Sequence, residues 1–235
     1  MYQIKIVNFE LSFYNIKGYV FLKSVISLEK IDQVNKDINK FFINNNIQAH
    51  LNKREDSITE YFYVNNTFNQ LNSYIKQQHY YLPVIDNRSS HDRVIDKGMI
   101  DIFNVQRLIP YINEIIDVNI LIDILNKLTQ KEWKLQRINL HIYNNVNNTN
   151  NYHYDNFEET IKCTVYLHSI KELNEGPLSF IEGTHKNKNF TNKQIKHFYG
   201  DAGDIFLSYQ QGFHRKLPQK NSINYMLVFN FIHKK

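Results

Sequence analysis

The chain has 235 residues, 28 Lys plus Arg against 23 Asp plus Glu, a formal net charge of +5, and 42% hydrophobic residues. That hydrophobic share is ordinary for a globular protein and excludes an extended disordered chain. The basic residues are scattered and form no stripe, which argues against a nucleic-acid surface; the modest positive balance fits an anionic small molecule as partner equally well.

The N-terminal apolar stretch carries Lys5, Glu10 and Lys17 and lacks the order of a signal peptide. No uncharged run approaches a membrane span. After Gly18 a short strand is expected, followed by a helix from Ser27. Ile31, Val34, Ile38 and Phe41/Phe42 recur there at helical spacing, with Glu29 near a capping-box position. Residues 57–81 are aromatic and polar with no clear period. Residues 86–98 read as a polar loop, with Asp101 just beyond it. His91, Arg93 and Asp101 are candidates for a lid over a pocket mouth, or for an ordinary surface loop. Residues 104–128 are apolar at helical spacing, with Pro110 as a break.

From Trp133 the period changes from helix to strand. Gln136, Ile138, Leu140 and Ile142 alternate with Arg137, Asn139, His141 and Tyr143, so the second set shares one polar face. Further strands are expected at 160–168, 178–181, 204–209, 214–217 and 224–232. Cys163, the single cysteine, excludes an intrachain disulfide, reads as a packed thiol and fits a reducing, cytoplasmic compartment. Helices first and strands afterwards give an α+β class with a β-sandwich or barrel core. The expected layout is one domain over 1–235, helix-rich to about 130 and a barrel core from about 131. Nothing in the pattern specifies an oligomeric state.

His153 and Asp155 are two residues apart, so in an extended segment their side chains aim at a common point. A second imidazole from a later strand would complete a 2-His-1-carboxylate face, with open positions on iron(II) for a chelating cosubstrate and O2. The pair alone fits a surface loop equally well. Two further elements follow. Residues 174–186 read Asn-Glu-Gly-Pro-Leu-Ser-Phe-Ile-Glu-Gly-Thr-His-Lys. Gly203-Asp204 then enters an apolar strand, and Gly212-Phe213-His214 enters the next.

Taken in order, these residues resemble the phytanoyl-CoA dioxygenase-like family of iron(II)/2-oxoglutarate-dependent oxygenases, whose N-G-P-L segment is interrupted here by Glu175. The Gly-Tyr-Val strand and helix near the N-terminus are similar to that family's opening. The resemblance implies a double-stranded β-helix (a jelly-roll, cupin-like barrel) with flanking helices, and His153, Asp155 and His214 as metal ligands. It further implies Fe(II), 2-oxoglutarate and O2 as cofactor and cosubstrates, and hydroxylation of a C–H bond in a small-molecule substrate. Asp155 speaks against halogenation, because halogenating relatives lack that carboxylate. His185 reads as a turn residue.

One family feature is missing. The family places an Arg about eleven residues after the distal His, to hold the far carboxylate of 2-oxoglutarate in a dry pocket. Here that position is Tyr225, and no Arg follows Arg215. Lys216, two residues after His214 and on the same strand face, is one replacement; Arg137, beside Asn139 and His141, is another. Tyr225 acting alone is a third, and an iron oxygenase that uses no 2-oxoglutarate is a fourth. A non-catalytic metal- or ligand-binding barrel is the reading from outside enzymology.

Overall fold

The computed structural model describes residues 14–44, 96, 98–155, 159–189, 191–220 and 222–234, with the backbone of three short strands at 60–63, 67–70 and 84–87. His91 and Arg93 lie outside the described residues. Twelve strands are described. They are β1 (Tyr19–Leu22), β2 (Glu60–Tyr63), β3 (Thr67–Gln70), β4 (Val84–Asn87), β5 (Met99–Phe103) and β6 (Trp133–Asn144). After these come β7 (Thr160–Tyr166), β8 (Leu178–Ile181), β9 (Ile195–Phe198), β10 (Ile205–Tyr209), β11 (His214–Lys216) and β12 (Ile223–His233). The helices are α1 (Leu28–Asn44), α2 (Ile112–Ile115) and α3 (Val118–Thr129).

The strands form two antiparallel sheets. A nine-stranded sheet runs β1-β10-β7-β12-β6-β5-β4-β2-β3, and a three-stranded sheet runs β11-β8-β9. The fold is therefore mostly antiparallel β with few helices. Helix α1 turns Ile31, Val34, Ile38 and Phe42 inward, at the spacing of one apolar stripe, while Phe41 is only partly buried. Ser27 Oγ accepts from the Lys30 amide at 3.5 Å at its start. Asp117 caps α3 by accepting from the Asn119 amide at 2.9 Å. The segment around Pro110 breaks as expected, into a 3-10 turn at Val105–Arg107 and the short α2.

Alternation along the strands divides the interior in two. Ile138, Leu140 and Ile142 of β6, Ile161, Cys163 and Val165 of β7, and Leu227 and Phe229 of β12 pack with the helices. The opposite faces of the same strands turn toward the small sheet. There Tyr143, Tyr166, Phe206 and Met226 meet Phe180 and Phe198. Cys163 is buried in the first layer, as expected of a packed thiol, and burial pushes its pKa up.

Three expectations need correction. The start of the expected loop, 86–87, belongs instead to β4, and β5 at 99–103 pairs with β6 in the large sheet so that Asp101 lies beside His141. The five residues Met-Ile-Asp-Ile-Phe are too short a run to announce a strand, yet pairing with the long β6 fixes them. The N-terminal part is thus strand-rich as well as helical, contributing β1 to β5. Strand β9 was also unannounced, since Ile195 and His197 are exposed and only Phe198 is buried.

Candidate metal centre and its cavity

His153 and His214 meet as an isolated antiparallel bridge, with amide-to-carbonyl distances of 3.1 and 2.9 Å. Asp155 is fixed by its amide donating to Gln210 O at 3.1 Å. Backbone pairing thus delivers all three side chains to one point. Asp155 Oδ1 is 3.4 Å from His153 Nε2 and 3.7 Å from His214 Nε2, and the potential ligand atoms all lie within 4.8 Å of one another.

The outer ring nitrogens fix the imidazoles' orientation. His153 Nδ1 is 2.8 Å from Asn151 O, and His214 Nδ1 is 2.9 Å from Gly212 O. A carbonyl can only accept, so each Nδ1 carries a proton, and each Nε2 is the nitrogen that faces the common point, where it can give up its own proton to a metal. Two imidazole nitrogens and one carboxylate oxygen, converging with the outer nitrogens already engaged, fit a divalent metal.

Asp155 Oδ2 accepts from the Lys162 ammonium. Burial works to raise the Asp155 pKa, but the Lys162 charge and hydrogen bonds from the two imidazoles outweigh it and hold the carboxyl well below the usual range. Asp155 in turn raises the pKa of His153, chiefly through their hydrogen bond, against burial and the Lys162 charge, which lower it.

The centre opens on a cavity of about 520 Å³ between the two sheets. Arg137, Asn139, His141 and Tyr143 all line it, as the alternation of β6 requires. Gln136 joins them because the register slips there: Asn230 faces Arg137 but Phe231 faces Leu135, leaving Gln136 bulged toward the cavity. Arg137 lies with its guanidinium carbon 5.2 Å from the Phe103 ring centroid. Asp101, 1% exposed, has Oδ1 3.5 Å from His141 Nε2, so it belongs to the cavity wall and not to a lid. Tyr143 OH is 3.3 Å from His141 Nδ1.

Lys216 is buried against the cavity rather than solvated at a strand edge. Its ammonium donates to Gly176 O and sits 4.5 Å from the Tyr143 ring centroid. Gly176 has φ +70°, and a Cβ there would be 2.9 Å from Lys216 Nζ; glycine at this turn makes room for the lysine. Burial pushes the Lys216 pKa down to about 7.

That shift sets an expected stability profile. Below about pH 7 the amine is charged in both folded and unfolded chains, and the cost of burying the charge is full; near the ordinary value of 10.5 and above it vanishes. Relative to Lys216→Met, the metal-free wild type should therefore gain thermal stability as pH rises between those values. Parallel melting curves across this range would refute the assignment.

Tyr225 is not brought to the cavity. It lies opposite Ile142, on the helix-facing side of β12, 5.7 Å from the Phe42 ring and 5.0 Å from that of His168. Its neighbours Met226, Val228 and Asn230 face the cavity instead. Tyr152 does not line the cavity itself, but its OH is 2.6 Å from the Oγ of Ser179, which does. His185 stacks on Tyr209 at 5.1 Å in the turn, as expected of a turn residue. Thr184, fully buried, was missed: its Oγ1 donates to Ile181 O at 2.6 Å and accepts from the Phe213 amide at 2.7 Å, tying the turn to the loop that carries His214. Lys162 was missed too, although its place two residues before inward-facing Thr164 marks it.

No protein-family model matches the sequence, and no curated protein does either. Solved structures do. The non-haem α-ketoglutarate-dependent carbocyclase SnoK from nogalamycin biosynthesis matches with a TM-score of 0.64 and 10% identity, over 97% of this chain and 84% of that one. The α-ketoglutarate-dependent epimerase SnoN from the same biosynthesis gives 0.62 and 12%, over 94% and 80%. HygX from Streptomyces hygroscopicus, solved with nickel, 2-oxoglutarate and hygromycin B, gives 0.63 and 9%, over 96% and 87%. At such identities the likeness shows the fold: this chain is folded like those non-haem α-ketoglutarate-dependent enzymes.

Proposed function

We propose that this chain is a non-haem Fe(II)- and 2-oxoglutarate-dependent oxygenase of the phytanoyl-CoA dioxygenase-like kind, built on a double-stranded β-helix, that oxidises a C–H bond of a small molecule. The observation that carries the reading is one juxtaposition. His153, Asp155 and His214 converge with two nitrogen donors and one carboxylate on a cavity whose walls also hold Lys216 and Arg137. The fold shared with SnoN, SnoK and HygX supports it, and the iron or nickel and 2-oxoglutarate bound in structures of SnoN and HygX support the cofactor choice.

When bound, iron and 2-oxoglutarate supply the oxidising chemistry: O2 is consumed, 2-oxoglutarate loses CO2 to become succinate, and the substrate C–H is oxidised, by hydroxylation in the reading offered here. The residues do the rest. The three ligands orient the metal toward the cavity. Lys216 receives the far carboxylate of 2-oxoglutarate, with Tyr143 and His141 beside it. His214 and Lys216 share a strand face roughly 7 Å apart along the backbone, a span a five-carbon dicarboxylate can bridge. Arg137, with Asn139 next to it on the same face, meets an anionic group of the substrate, as its planar fork suits. Lys216, 9% exposed, meets that carboxylate largely out of water, where the attraction is strongest.

The deciding experiment is anaerobic titration with iron(II) and then 2-oxoglutarate. A weak visible charge-transfer band on adding the second is the expected result. A second reading, an iron oxygenase independent of 2-oxoglutarate, draws on Tyr225 in place of the family's Arg; iron uptake with no such band would favour it. Absence of metal uptake would leave a non-catalytic barrel.

A further inference from the structure

The two oxygens of the Asp155 carboxylate are committed to different neighbours. Oδ1 faces both imidazoles, at 3.4 and 3.7 Å, while Oδ2 accepts from Lys162 Nζ. Lys162 does not belong to the metal loop. It sits in the middle of the large sheet, paired with Asn230 of β12 on one side and Ser208 of β10 on the other. Its position is therefore set by the sheet, and the loop's carboxylate comes to it.

A carboxylate binds a metal through one oxygen or through both. With two imidazoles and a one-oxygen carboxylate, a six-coordinate ion keeps three open positions; a two-oxygen carboxylate leaves only two. A chelating cosubstrate occupies two, and O2 needs one more. Swinging Oδ2 onto the metal would break a charge-assisted hydrogen bond and leave an ammonium facing a dication. We propose that Lys162 is a positioning residue that restricts Asp155 to one-oxygen ligation through Oδ1 and so keeps the third coordination position open. This inference rests on the reading of the site as an iron and 2-oxoglutarate centre.

The test counts waters on the metal, without turnover. Manganese(II) replaces iron as a paramagnetic probe in the full chain, and its resonance linewidth is read in water enriched in the magnetic oxygen isotope. The wild type should show broadening from three bound waters, Lys162→Met from two, and Lys162→Arg from three again, with melting temperatures that show all three folded. Lys162→Leu, which likewise lacks a donor, carries the same expectation if Lys162→Met does not fold. A merely structural lysine would, on removal, lower the melting temperature or the metal affinity but leave the water count at three, and that result overturns the proposal. Wild type that takes up neither manganese(II) nor iron(II) overturns this proposal and the proposed function together. A normal wild-type count with an unchanged Lys162→Met overturns this one alone.

Discussion

Alanine in place of Asp155 is expected to weaken metal binding more than alanine at either histidine, by more than about 100-fold, the upper end of what losing an outer-shell partner costs. The reason is charge as well as coordination. In the wild type the Asp155 carboxylate cancels the Lys162 ammonium that donates to it. Removing the carboxylate leaves two imidazoles, which carry no negative charge, and an uncompensated cation at the point where a dication must settle, so attraction is replaced by repulsion. Alanine at His153 or His214 removes one donor but leaves that balance intact. Anaerobic titration of the three variants with iron(II) checks the order. Asp155→Ala binding within tenfold of wild type, or binding better than His214→Ala, would show that Asp155 is not a ligand.

The comparison of sequence with structure is instructive because successes and failures have different causes. The triad was legible because both of its signals are local. Spacing of two on extended backbone aims His153 and Asp155 together, and a Gly-Phe-His entry to a strand presents His214. The inward face of β6 was legible because twelve residues of alternation leave no ambiguity of phase, except at Gln136, where a bulge specified by the partner strand shifts it. Strand β5 was illegible because its formation depends on β6, a contact thirty or more residues away in the chain. Tyr225 shows a third kind of error. Counting along a family pattern selected it, whereas the alternation of its own strand opposes that choice: Asn224, Met226, Val228 and Asn230 share one face, and Tyr225 falls on the other with Leu227 and Phe229. Lys162 escaped notice because a lysine on an apolar strand reads as an edge residue until its carboxylate partner is placed.

That phase difference decides the largest expected effect on cosubstrate binding. Lys216→Met is expected to raise the dissociation constant of 2-oxoglutarate by about 10- to 150-fold, the value of one hydrogen bond to a charged group at roughly 1.5–3 kcal/mol. Iron(II) affinity should change little, because Lys216 touches Gly176 O and the Tyr143 ring and makes no contact with the ligand atoms among the described residues. Methionine keeps the length and apolar volume of the stem, so the cavity is not opened. Tyr225→Phe should leave the constant at its wild-type value, since the ring packs between Phe42 and His168 on the far face of the sheet. Arg137→Ala is the control for the competing cation: it lines the same cavity, yet lies six residues along β6 from Tyr143, roughly 20 Å of strand, and should leave 2-oxoglutarate binding near wild type. Titrating the charge-transfer band of the three iron-loaded variants separates the outcomes. A silent Lys216→Met beside a weakened Arg137→Ala would exchange their roles, placing the far carboxylate at Arg137 and leaving Lys216 to the substrate. Among cavity residues a buried lysine held by a glycine carbonyl is the better-prepared partner, because its burial cost is already met by the fold and an arriving carboxylate relieves it.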